Sequence, residues 1–138
     1  MAKKSSAKSE LSAKEQKELD VTIGFLEGIV RRDPAYVEAL QLLGDDYTRR
    51  GQYAPGLEID ERLAHLRPED PLVHYNLACS YSLLDQYDRA AAALDRAMTL
   101  GYRDFKWLAR DPDLKKLRQQ AVYKRIQARV RKLKTDGI

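Results

Sequence analysis

Two stretches of the chain superimpose at an offset of 34 residues, and a period of that length restricts the possible folds more than any single residue does. Leu40, Leu43, Gly44, Tyr47, Gly51-Gln52-Tyr53 and Gly56 in the first stretch correspond to His74, Leu77, Ala78, Tyr81, Asp85-Gln86-Tyr87 and Ala90 in the second. Each stretch sets a small residue between a leucine and a tyrosine in one helix and a second small residue early in the next. A repeat of this size predicts stacked helical hairpins. One such unit cannot bury its apolar face alone, so neighbours stack into a solenoid whose concave side can hold another chain.

The punctuation between these stretches divides the rest of the chain. Residues 1–14, rich in Lys, Ser and Ala with little to bury, are expected to form a disordered basic tail. From Glu15 the apolar residues Leu19, Ile23, Leu26, Ile29 and Val30 recur at helical spacing until Asp33-Pro34 ends the run. Pro34, Pro68 and Tyr102 are themselves 34 residues apart, so 15–33 occupies the slot of a repeat's second helix. The expected organisation is a half repeat at 15–33, full repeats at 34–67 and 68–101, and a degenerate cap at 102–138. The helices are expected at about 35–50, 53–66, 71–84 and 87–100. Pro55 is placed in a first turn, and Asp70-Pro71 is a strong start signal. The cap is read as a short helical piece at Tyr102–Leu108, a capped turn at Asp111-Pro112-Asp113-Leu114, and one amphipathic helix over 119–134 with Val122, Ile126, Val130 and Leu133 on one face.

These residues resemble the tetratricopeptide repeat family over about 19–102. The family's small first-helix residue and its aromatic neighbour are matched by Gly44 with Tyr47 and by Ala78 with Tyr81. Gly56, Ala90 and Ala97 match most of the small residues of the second helices. Asp60, Leu63, His74 and Tyr102 depart from the family pattern. The string Gly101-Tyr102-Arg103-Asp104-Phe105, then Trp107-Leu108 and Asp111-Pro112-Asp113-Leu114, is similar to the terminal segment of many short bacterial members. The resemblance implies an all-α fold, a right-handed superhelical stack of antiparallel helix hairpins. It also implies a protein–protein interaction module, an adaptor, scaffold or chaperone-like protein, whose first helices line a concave peptide-binding groove.

Mapped onto this chain, that inner stripe is Glu38, Gln41, Leu42, Asp45, Thr48 and Arg49 from one repeat and Leu72, Tyr75, Asn76, Cys79, Ser82 and Leu83 from the other. The family's clamp for a peptide carboxylate needs Asn where this chain has Asp45 and Cys79, and so is missing. Glu38 and Asp45 make one half acidic, while Leu72, Tyr75 and Leu83 make the other apolar and aromatic. A partner presenting a basic residue beside an apolar anchor fits both halves. Two other readings stand beside this one. The charged residues are a solvated helix face with local ion pairs, or the groove is occupied by the chain's own 19–32 helix, tail or last helix.

Charge distribution sharpens the alternatives. Residues 35–70 carry eight acids against four arginines, and 115–134 carry nine bases and no acid, within a net charge of +4. A nucleic-acid or anionic-surface binder acting through that basic C-terminal helix is the reading from another class. Pairing of the array's exposed end with a second copy is a third. Chemistry has little to stand on: no phosphate loop, zinc spacing or nucleophile elbow occurs, and no cofactor is expected. His65 and His74 read as packing or cap residues, and Asp111 and Asp113 as caps. The single Cys79 lacks sequence neighbours suited to ligating a metal. No run is apolar enough to span a bilayer and Met1–Lys8 has charge with no apolar segment behind it, so a cytoplasmic location is the expectation.

Overall fold

The computed structural model describes residues 10–136, and the expected tail at 1–9 lies outside them. Helices α1 (Ala13–Arg32), α2 (Val37–Arg50), α3 (Tyr53–Leu66), α4 (Pro71–Leu83) and α5 (Tyr87–Thr99) follow one another, each packed on the next. No strand occurs among the described residues. The C-terminal part consists of α6 (Phe105–Leu108), a 3-10 turn at Pro112–Leu114, α7 (Lys115–Arg118) and α8 (Tyr123–Thr135).

The helices begin and end for local reasons. Helix α1 starts two residues ahead of its expected start, because Ser12 accepts from the Glu15 amide at 3.1 Å while Glu15 accepts from the Ser12 amide at 2.9 Å. That reciprocal capping box satisfies two donors that a helix N-terminus otherwise leaves open. Leu11 packs against the core, so the ordered chain reaches back into the segment expected to be tail. Asp70 caps α4 through the Leu72 amide at 2.9 Å, ahead of Pro71. The turn after α2 has Gly51 at φ 85°, and its counterpart after α4 has Asp85 at φ 61°. Glycine takes that left-handed conformation freely and aspartate is one of the few residues that tolerates it.

The 34-residue period extends to the hydrogen bonds. Tyr47 donates to Glu27 on the preceding helix, and Tyr81, 34 residues on, donates to Glu61 at 3.0 Å. The turn amides repeat too: Gln52 donates to Tyr47 at 2.8 Å and Gln86 to Tyr81 at 2.9 Å. Each tyrosine therefore closes its own turn through its carbonyl and ties its helix to the one before through its hydroxyl. The pairs Tyr47–Glu27 and Arg50–Asp20, the latter at 2.7 Å, show α2 running antiparallel to α1.

The small residues lie where helices cross. A Cβ on Gly44 would meet Asp60 Oδ1 at 3.2 Å and Ile59 Cγ2 at 3.3 Å, and one on Gly56 would meet Thr48 Oγ1 at 3.5 Å. Ala78, Ala90 and Ala97 are fully buried. Asp60, a departure from the family pattern, is buried at the α2–α3–α4 crossing, where it accepts a hydrogen bond from Ser80. A buried carboxylate is tolerated when donors saturate it.

The interior forms two clusters. One joins α1, α2 and α3 around Leu19, Ile23, Leu40, Leu43 and Ile59, and the other joins α4, α5 and the C-terminal part around Tyr75, Leu94, Met98, Leu117 and Ile126. Ala64 on α3 touches both, so α3 is the shared wall. The last helix is shorter than expected: the chain breaks between α7 and α8, and Tyr123, which the apolar pattern does not single out, is buried at the start of α8. Ile126 is fully buried, with Val122, Val130 and Leu133 packed at its margin.

The Tyr47 hydroxyl links stability to alkaline pH. Burial, reinforced by the Glu27 carboxylate, pushes its pKa up to about 12, against about 10 in an unfolded chain. A raised folded pKa gives stability that is complete below pH ~10 and is lost as pH climbs towards 12. Tyr47→Phe is expected to be less stable near neutrality and to lose stability less steeply across that window. Thermal melts from pH 9 to 12 check this; equal slopes for both proteins would contradict it.

Candidate functional site

The inner stripe does not form one continuous groove. Glu38, Gln41, Leu42 and Asp45 of α2 and Leu72 and Asn76 of α4 come together around a cleft of about 590 Å³, whose wall also includes Asp60, Leu63, Asp70 and Val73. Leu42 stands 57% exposed at its edge. Four carboxylates thus surround a set of leucines and a valine. Asp60 and Asp70 come from the departure on α3 and the cap of α4, positions that a stripe drawn along first helices does not include.

The other half of the stripe is closed. Tyr75 and Cys79 have no exposed surface, and Ser82 and Thr48 are buried, so none of the four presents a side chain to a groove ligand as expected. For Tyr75, Cys79 and Ser82 the cause is the C-terminal segment, whose 3-10 turn and α7 lie against α4. Tyr75 donates to Asp111 Oδ2 at 2.6 Å and stacks on Tyr102 with ring centroids 4.5 Å apart. Asp111 Oδ2 also receives the Cys79 thiol at 3.6 Å, and Oδ1 accepts from the Asp113 amide at 3.0 Å. Arg118 donates to the carbonyls of Leu108 at 3.0 Å and Asp111 at 2.9 Å, holding the ends of this segment together. Burial, then the neighbouring Cys79 and Asp111, raises the pKa of the Tyr75 hydroxyl far above its ordinary value and keeps it a donor. Thr48 is occupied locally, donating to Gly44 O at 3.1 Å.

On this half the wall of α4 is therefore covered by the chain's own segment 111–118. Ser82 and Leu83 instead face a second cleft of about 440 Å³, with Tyr53, Pro112, Asp113, Lys115, Lys116 and Gln119. Arg49 is exposed and lines neither cleft.

Cys79 is a packed thiol, and the fold sets acids beside it that are distant in sequence. Its Sγ and the carboxylates of Asp111 and Asp113 lie within 4.8 Å of one another, all buried. Cys79 and Asp111 already hydrogen-bond each other, and Asp111 combines the expected capping role with the clamp on Tyr75. The histidines act locally: His74 Nε2 donates to Pro68 O at 2.8 Å and His65 Nδ1 to Glu61 O at 3.1 Å.

Several of the C-terminal bases are also engaged. Arg125 and Arg129 pair with Asp95 at 3.1 and 3.5 Å, Lys116 with Asp85 at 3.7 Å, and Arg118 turns inward as described. Among the described residues no helix is long and apolar enough to cross a membrane.

No family model matches the chain. It is similar to a curated chloroplastic protein of Arabidopsis thaliana, at 38% identity over 79 residues. That stretch is 55% of this chain and 24% of the other, so the chain spans about a quarter of the length of the curated relative it matches.

Removing only the Tyr75 hydroxyl tests the closure. Tyr75→Phe keeps the ring stack and leaves a fully buried carboxylate short of a donor, which is expected to cost about 1–3 kcal/mol. Urea denaturation measures it; a loss below about 0.3 kcal/mol would mean that the bond does not help hold the segment in place.

Proposed function

We propose that the chain is a tetratricopeptide-type interaction module, an adaptor, scaffold or chaperone-like protein that carries out no chemistry. In this reading the acidic cleft between α2 and α4 holds a peptide or protein segment that presents a basic residue beside an apolar one. The observation that carries it is the lining of that cleft: Glu38, Asp45, Asp60 and Asp70 set around Leu42, Leu63, Leu72 and Val73. Four like-signed groups in a concave site raise the local concentration of cationic side chains, and the apolar wall contributes burial that water cannot. The recurrence of the tyrosine–glutamate bond at 34 residues supports the repeat assignment.

The alternative through the C-terminal bases has less in its favour. Lys116, Arg118, Arg125 and Arg129 hold the protein's own carbonyls and carboxylates, which leaves Lys115, Lys124, Arg131, Lys132 and Lys134 of the nine.

A peptide array pairing Lys or Arg with Leu or Phe, with Asp-containing controls, is the direct probe. Basic–apolar peptides are expected to bind, and Glu38→Gln with Asp45→Asn to weaken that binding by about tenfold. Lys124→Gln with Lys132→Gln is expected to leave it unchanged. Equal binding of the acidic controls, or loss of binding only in the lysine variants, would contradict the reading.

A further inference from the structure

Helix α1 has two apolar faces, and only one is used inside the molecule. Leu19, Ile23, Leu26 and Val30 are buried against α2, whereas Val21 and Phe25, on the other side, are 75% and 69% exposed. These are the most exposed of the large apolar side chains among the described residues. Gly28 lies one turn beyond Phe25 on the same side, and a Cβ there would meet only Arg31 Nη2, at 3.9 Å. An exposed valine and phenylalanine beside a side-chain-free position form a surface onto which another helix can pack closely.

The charges around this face indicate which helix. Glu18 and Arg32 each lie seven residues from Phe25, two turns to either side, and both are exposed. Positions seven apart share a helix face. The pattern is its own complement under reversal. Laid antiparallel against itself with Phe25 on the axis, the helix brings Glu18 to Arg32 twice. Laid parallel, it opposes like to like at every one of those positions.

We propose that this face of α1 binds α1 of a second copy in an antiparallel, two-fold symmetric pair. In that pair Phe25 packs on Phe25 of the second copy and Val21 settles over its Gly28. Two-fold pairing of this kind requires a self-complementary patch. The inference is independent of the cleft, which is lined by α2, α3 and α4 and contains no α1 residue.

Sedimentation equilibrium on the full chain, from about 1 to 200 μM, is the test. The mass is expected to rise from the 15.8 kDa of one chain towards twice that value. Phe25→Glu should remain a monomer with the same helix content and melting temperature, since residue 25 faces solvent in a single copy. Glu18→Arg and Arg32→Glu should each weaken association by about tenfold, and the double variant should restore it because the charges are again complementary. A monomer mass at all concentrations would overturn the proposal. So would association that persists in Phe25→Glu, which would place the contact elsewhere, or a double variant as weak as the singles. Capture of an added foreign helix by a chain that stays monomeric would overturn it as well.

Discussion

Asp111 has no contact with water, and a carboxylate in that position is tolerated only when hydrogen-bond donors surround it. Its donors are the Tyr75 hydroxyl, the Cys79 thiol and the Asp113 amide. Two of the three belong to α4, so the aspartate is satisfied only when residues 105–118 lie against α4. Much of the architecture depends on this. With the segment docked, Leu108, Leu114 and Leu117 complete the second cluster, and Tyr102 finds the ring of Tyr75. Two clefts lie along α4, an acidic one near its start and a lysine-edged one near its end.

Electrical polarity then follows from position. Four of the eight acids of 35–70, Glu38, Asp45, Asp60 and Asp70, line one cleft, with Asp60 and Asp70 supplied by α3 and a helix cap. The basic C-terminal run is partly consumed in fixing α8 to α5 through Asp95. Part of the basic run is thus taken up by the protein's own carboxylates and carbonyls, while four acids face one cleft.

The parts of the fold legible in the sequence are those determined within one repeat. The turns at Gly51 and Asp85, the start of α4 at Asp70-Pro71, and the burial of Gly44 and Ala78 follow from local conformation and a period that can be counted. The Ser12–Glu15 capping box is equally local, but the Lys, Ser and Ala around it read as a tail. What sequence could not give is the Tyr75–Asp111 contact, between residues 36 apart and on different sides of the point where the period stops. Asp111 ahead of Pro112 is fully accounted for as a cap, and nothing nearby signals its second role. That unseen contact goes with the burial of Tyr75 and Cys79 and sets Ser82 and Leu83 beside a different cleft, whereas Thr48 is buried within its own repeat and Arg49 lines neither cleft. Asp60 is a related case: its departure from an apolar pattern becomes intelligible once Ser80, on the next helix, is seen donating to it.

Hydrogen exchange resolved to single amides tests this account most directly, because docking by a buried clamp ties the opening of the segment to the opening of the helix beneath it. The amides of Asp113 and Leu114, which bond to Asp111, are expected to exchange as slowly as those in the middle of α4. Fast, loop-like exchange at Asp113 and Leu114 while α4 stays protected would contradict the claim that Asp111 locks the C-terminal segment onto α4.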